Sequence, residues 1–270
     1  MITKLYKYIF FVVLFIITYL FYIFPFEILN KYLLNESVNF QYSLINTAIF
    51  FTLIIYYLKS HNTFKPLKIF VYEGLGIGFI SFIVISFSIL VNLSGIFKET
   101  SIGITSLIII FIISAYGMIN ARNISIKNVE LTSAKIHNNL NIIFISDVHL
   151  GTNTTKHLKK ILNKIKTIKY DFIIIGGDLI DSSSFNINDL TILNEIKKDI
   201  YFVNGNHEYY LKNYKNKISQ LKNYNLRILK NTSKEIDQIN LIGIDDIESK
   251  TSKIKYVTKL KKDNLFNLVI

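Results

Sequence analysis

Apolar residues fill the first 121 positions in long unbroken runs and afterwards come in short runs separated by amphipathic stretches. Four of the long runs carry no charged residue: Tyr8 to Phe26, Ser37 to Leu58, Gly74 to Phe97 and Thr100 to Ala121, with 19, 22, 24 and 22 residues. At about 1.5 Å per helical residue, each is long enough for the roughly 30 Å hydrocarbon layer of a bilayer. The first lacks the small-residue cleavage site of a signal peptide and three more spans come after it, so it is expected to be retained. Pro25 and Pro66 are expected outside span interiors, where a missing N–H costs little. With Trp absent, Tyr19, Tyr22, Tyr56 and Tyr57 are expected near span ends as an interfacial belt. Gly74, Gly76 and Gly78 open a hydrophobic run and lack the lysine of a phosphate loop, which predicts close helix packing. Span interiors without ionisable side chains favour anchoring over transport.

From Asn141 the pattern changes. Asn141 to Ser146, Asp171 to Ile175, Ile200 to Val203 and Asn240 to Ile244 read as strands, and Asn267 to Ile270 as one interrupted at its end. Leu158, Ile161, Leu162, Ile165 and Ile168 recur at helical spacing, with Lys159, Lys160, Lys164 and Lys166 on the other, solvated face. Further helices are predicted over about Ile187 to Lys198 and Leu211 to Tyr224. Strands alternating with helices predict βαβ units and a parallel or mixed sheet. The predicted organisation is a four-helix transmembrane region (1–121), a juxtamembrane linker with a lead-in strand (122–140) and an α/β domain (141–270).

Composition narrows the chemistry. A hydrophobic share of 50% excludes a disordered chain. Zero Cys excludes a disulfide framework, a thiolate zinc site and a cysteine nucleophile, leaving His, Asp, Glu and Asn to bind metal. The 31 basic residues against 19 acidic ones give a net charge of +12. Lys is spread along the whole chain and no Arg cluster interleaves with aromatics, so no nucleic-acid partner is expected, and membrane lipids are. Lys4, Lys7, Lys59, Lys65, Lys68, Arg122, Lys127 and Lys135 lie on one side of the predicted spans, against Lys31 and Lys98 on the other. The positive-inside rule then puts both termini and the α/β domain in the cytoplasm, on an inner (cytoplasmic) membrane crossed several times. Oligomeric state has no signal in the sequence.

The polar residues just beyond each strand carry the chemistry. Asp147 and His149 stand after the first strand, Gly177, Asp178 and Asp181 after the second, and Gly205, Asn206, His207 and Glu208 after the third. In open α/β sheets, sites form outside the carboxyl ends of strands, so these residues are expected to meet. Asp147 and His149, two apart, can share one side of an extended segment and one cation. Single Asp or Asn residues at strand ends are commonly caps or turn formers. Three such groups at intervals of 31 (Asp147 to Asp178) and 28 residues (Asp178 to Asn206) point instead to a metal site. Oxygen ligands with imidazole suit Mn, Fe or Zn.

Asp147-x-His149, Gly177-Asp178-x-x-Asp181 and Gly205-Asn206-His207-Glu208 resemble the D-x-H, G-D-x-x-D and G-N-H-[DE] signature of the calcineurin-like metallophosphoesterases. Ala115-Tyr116-Gly117 and Leu241-Ile242-Gly243-Ile244-Asp245-Asp246 resemble the membrane-anchored bacterial branch of that family, and the resemblance covers about residues 115 to 270. It implies a metallo-dependent phosphatase fold after the four-helix region. It also implies hydrolysis of a phosphomonoester, phosphodiester or pyrophosphate by a hydroxide shared between two divalent ions, Mn, Fe or Zn. On this resemblance Asp147 and His149 bind the first ion, Asp178 bridges both, Asn206 binds the second, and His207 is the catalytic outer-sphere acid or transition-state stabiliser. Asp181 has no free place among those ligands and is expected to orient the loop or a neighbouring ligand.

The family pattern requires further histidines, including a G-H-x-H pair, yet the five present (His61, His137, His149, His157 and His207) include none after His207. The domain is therefore expected to be incomplete, truncated about where the first of these would stand. His61, His137 and His157 are expected to be exposed. Two functions are compatible with this pattern. One is a membrane-anchored phosphoesterase whose substrates include lipid-linked phosphates; the other is a catalytically silent membrane protein that uses the partial domain as a binding module.

Overall fold

The computed structural model describes residues 2–59 and 65–270, and the chain divides into two compact units, Met1–Asn123 and Ile124–Ile270. In the first unit, four helices are long and apolar enough to cross a membrane: Leu5–Leu34, Phe40–Lys59, Pro66–Asn92 and Glu99–Ala121. The first extends well past Phe26. Helix α1 (Ile2–Thr18) continues through a π-turn (Tyr19–Ile23) into α2 (Phe24–Leu34).

Pro25 explains the turn. Its nitrogen has no hydrogen to give the Phe21 carbonyl, and the helix widens there, with the Phe24 N–H donating to the Tyr19 carbonyl five residues back. Pro25 thus lies inside the span, contrary to expectation, because a change of hydrogen-bond register absorbs it. In consequence Tyr19 and Tyr22 fall mid-helix, away from the ends. Tyr19 Oη donates to Glu27 at 2.9 Å, and Tyr22 Oη donates to the Phe70 carbonyl at 3.0 Å. The longer helix also takes in Glu27 and Lys31.

Helices α3 (Phe40–Lys59), α4 (Lys65–Asn92) and α5 (Glu99–Ala121) complete the unit. Helix α4 is displaced from its charge-free run, including Lys68 and Glu73 and stopping before Leu93, while Pro66 sits in its first turn, where it is tolerated. A Cβ at Gly74 would stand 2.8 Å from the Tyr22 ring, and one at Gly78 would stand 2.6 Å from the Phe21 carbonyl oxygen. These two glycines pack helices as expected, and Gly78 lies against the very carbonyl that Pro25 leaves without its usual donor. Gly76 faces open space. Two buried hydroxyls return their bonds to their own helix, Thr18 to the Leu14 carbonyl at 2.8 Å and Thr47 to the Ser43 carbonyl at 2.7 Å, which satisfies them in an apolar surround.

The second unit is an α/β sandwich. Strands β1 (Ile142–Ile145), β2 (Phe172–Gly176), β3 (Ile200–Val203) and β4 (Arg227–Ile228) form a parallel sheet in that order. In a second sheet, β6 (Ile239–Gly243) pairs antiparallel with β5 (Thr232–Ile236) and parallel with β7 (Phe266–Val269). Side chains of the first sheet alternate between two cores. Ile173, Ile175, Ile200 and Phe202 pack with Leu158 and Leu162 of α6 (Thr155–Ile165) and Leu221 of α8 (Tyr214–Leu221). Phe172, Ile174, Tyr201 and Val203 pack with Leu229, Ile239 and Leu241 against the second sheet. Both faces of β2 and β3 are covered, which is why β2 reads as a continuous apolar run, whereas Phe144 of the edge strand β1 is exposed.

Four elements depart from the sequence expectation. Residues Ile187–Glu195 form a 3-10 helix, not an α-helix reaching Lys198. Buried Ile187, Leu190, Leu193 and Ile196 recur every three residues, the 3-10 period, so that geometry turns all four to the core. No lead-in strand forms within 122–141; Ile126, Val129 and Leu131 do not alternate, and all three are exposed. Helix α9 (Lys250–Leu260) buries no residue and so has no apolar stripe to read, and β5 is too polar to stand out.

The two glycine positions give a paired test of the membrane unit. Gly78→Val is expected to destabilise the detergent-solubilised protein by about 1 to 3 kcal/mol through overpacking, while Gly76→Val leaves its thermal midpoint unchanged. Equal midpoints for the two variants would contradict this packing.

Candidate metal centre

Parallel pairing of β1, β2 and β3 carries the polar residues after each strand to one edge, and hydrogen bonds continue the register beyond the strands. The Asp147 N–H donates to the Gly177 carbonyl at 3.2 Å, His149 N–H to the Asp178 carbonyl at 2.8 Å, and Asp181 N–H to the Leu150 carbonyl at 3.1 Å. Asp147, His149 and Asp178 all adopt left-handed backbone, with φ of 57°, 50° and 54°. Each costs about 1 to 3 kcal/mol, and such strain persists only where surrounding contacts over-determine it.

His149, Asp178 and His207 each present one ligand atom, and these atoms lie within 4.8 Å of one another. The His149 imidazole stands between two carboxylates, its Nε2 3.5 Å from Asp147 Oδ1 and its Nδ1 3.5 Å from Asp181 Oδ2. The His149 and His207 rings meet edge to face at 4.6 Å. Asp178 Oδ1 accepts the His207 N–H at 2.9 Å, and Asp181 Oδ1 accepts the Thr152 N–H at 2.8 Å. Asn206 opens the short helix α7 (Asn206–Tyr209), and its exposed amide nitrogen makes a long 3.5 Å contact with Tyr210 Oη. Gly205 permits the close approach: a Cβ there would stand 2.2 Å from Asp178 Oδ1. His137 is exposed and His157 half-buried, outside this group, and His61 lies outside the described residues.

Residues 140–268 match the calcineurin-like phosphoesterase family model. They form a calcineurin-like metallophosphoesterase domain. A Danio rerio transmembrane protein with metallophosphoesterase domain is 29% identical over 172 residues, covering 58% of this chain and 39% of that protein. A Campylobacter jejuni metallophosphoesterase is 29% identical over 150 residues, 53% of this chain and 40% of that one. One from Helicobacter pylori is 33% identical over 125 residues, 45% and 34% respectively. The chain thus matches about two-fifths or less of each of these relatives' length. A domain of this kind implies divalent-metal binding, and the donor set fits it: imidazole nitrogens and carboxylate oxygens within 4.8 Å of one another.

Sequence reasoning assigned no role to Glu208, which is 0% exposed. Its Oε2 accepts the N–H of Asp178 at 3.0 Å and of Gly205 at 2.8 Å, and its Oε1 accepts that of Ile180 at 2.9 Å. One buried carboxylate thus joins the loop after β2 to the loop after β3. Burial raises its pKa, and the three N–H donors oppose that rise. A signal existed in the motif, since Glu208 directly follows His207, but its partners are up to 30 residues away. Tyr209 provides a second tether, its hydroxyl donating to Asp245, which is 1% exposed and also bound by Lys230 Nζ at 2.9 Å. Its hydrogen bond to Asp245 chiefly raises the pKa of Lys230 above the ordinary 10.5.

Glu208→Ala strips the acceptor from three N–H groups at about 1 to 3 kcal/mol each, so a loss of about 3 kcal/mol or more is expected in chemical denaturation of the full chain. A midpoint within experimental error of wild type would refute this. The Lys230 contribution carries a pH sign: it is complete below pH 10.5, the ordinary value, and is lost as pH rises through the elevated one. Between pH 10.5 and the elevated value, denaturation midpoints are expected to fall more steeply for the wild type than for Asp245→Asn.

Proposed function

We propose that this protein is a membrane-anchored, metal-dependent phosphoesterase with its domain in the cytoplasm. Asp147, His149, Asp178 and Asn206 hold two divalent ions drawn from Mn, Fe and Zn. The observation that carries this reading is the meeting of His149, Asp178 and His207 beside Asp147 at the ends of three parallel strands. When bound, such ions neutralise phosphoryl oxygens and lower the pKa of a water toward neutrality.

The chain's own residues supply position and protons. His207, its backbone held by Asp178 Oδ1, offers an imidazole that donates a proton to the departing oxygen. Asp181, fixed by the Thr152 N–H, orients the His149 ring from its Nδ1 side so that Nε2 faces the site. Among the described residues the Asn206 side chain makes one long contact, through its amide nitrogen, and its amide oxygen can turn toward an ion. The excess of basic residues in the loops on one side of the spans supports the cytoplasmic orientation. Tethering near the bilayer raises the local concentration of lipid-linked phosphates, which makes them the favoured substrates.

The test is manganese-dependent hydrolysis of p-nitrophenyl phosphate and its bis-ester by the detergent-purified 270-residue chain. Asp178→Asn is expected to lower the rate at least about 100-fold, since it removes a ligand central to the charge stabilisation. A folded wild type no faster than that control would reassign the domain to a binding module without catalysis.

A further inference from the structure

A concavity of about 350 Å³ has walls that follow, in sequence, the two loops of the candidate metal centre. One wall begins at Ser183, two residues after Asp181, and the other at Lys212, five residues after His207. The walls are joined: the Lys212 N–H donates to Ser183 Oγ at 2.7 Å, and Lys217 Nζ donates to the Ser183 carbonyl at 2.6 Å. A chain spans at most about 3.6 Å per residue, so Ser183 lies within about 7 Å of Asp181 along the backbone. The Asp181 carboxylate in turn is 3.5 Å from His149.

Charge in this concavity has one sign. Lys212 and Lys217 contribute ammonium groups, Asn186, Asn216 and Gln220 contribute amides, and no carboxylate is among the lining residues. Lys217 is half-buried, and its ammonium meets the carbonyls of Ser183 and, at 3.5 Å, Phe185, with no salt-bridging acid among the described residues. Burial alone pulls its pKa down, the mark of a cation that has lost water without gaining a counter-ion. An anion placed here recovers part of that desolvation cost.

We propose that this concavity is a subsite for a second anionic group of the substrate, on the segments that follow Asp181 and His207 in the chain. Lys212 and Lys217 are its recognising groups, and the preferred substrates carry a diphosphate or a phosphate-linked anionic head group. The inference names the substrate class for the phosphoesterase reading and rests on it, but the subsite can be read without turnover.

The experiment is calorimetric titration of the full-length protein in detergent with inorganic pyrophosphate and with orthophosphate, in EDTA, so that the metal centre does not contribute. Pyrophosphate is expected to bind at least about tenfold more tightly than orthophosphate. Lys212→Gln and Lys217→Gln are each expected to weaken it about tenfold, while Lys159→Gln, on the exposed face of α6 and outside the concavity, leaves it unaltered. Lys212→Gln keeps the backbone bond to Ser183, so its result stands even if Lys217→Gln perturbs folding. Pyrophosphate binding that both lysine variants retain in full, or that no protein shows in EDTA, overturns the subsite. Binding of the expected pattern supports it even if no hydrolysis is found, an outcome that would overturn only the catalytic reading. A soluble nucleoside diphosphate and micellar farnesyl diphosphate, titrated alike, distinguish a free from a lipid-borne ligand.

Discussion

The candidate metal centre depends on one fully buried carboxylate. Glu208 receives three backbone N–H groups from two loops that the sequence separates by about thirty residues, and by doing so it sets the distance between Asp178 and His207. A neutral side chain of the same size offers fewer lone pairs to converging donors, which is why a charged group is tolerated in a site it would otherwise destabilise. The left-handed backbones of Asp147, His149 and Asp178 are sustainable because this bond set, together with the ladder continuing past β1 and β2, leaves the loops no lower-energy path.

Packing on both faces of the first sheet makes that arrangement rigid. β2 and β3 send alternate side chains into a helix-side core and a sheet-side core, so their carboxyl ends cannot slip by a residue without exposing both sets. The Tyr209, Asp245 and Lys230 cluster then ties the helix bearing His207 to the end of β6. Structure and chemistry are linked there: the second sheet, far in sequence from the metal motifs, positions the imidazole through a neighbouring tyrosine.

The membrane unit solves a different problem with the same rule that buried polar groups must be satisfied. Pro25 removes a donor inside an apolar helix, the π-turn shifts the neighbouring bonds, and Gly78 of α4 lies against the Phe21 carbonyl. Tyr22 donates its hydroxyl to a carbonyl of α4 and packs its ring at 5.1 Å from Phe70. A residue whose composition suggested an interfacial role is thereby a packing residue within the bundle.

The sequence by itself determined the division into a four-helix membrane region and an α/β domain, because hydrophobic run length and periodicity are local properties. It also singled out the residues that the proposed chemistry uses, since Asp147, His149, Asp178 and His207 stand directly after recognisable strands. Only the tertiary structure decided what depends on distant partners. The first span runs to Leu34, the segment after Ile187 coils with a period of three, and Asp181 turns to His149. Glu208 and the lysines of the lateral cavity gain their roles from backbone groups 28 to 34 residues away. Residue type sets what a side chain can bind; which donors and acceptors reach it is set by strand pairing and burial, and no local pattern encodes those.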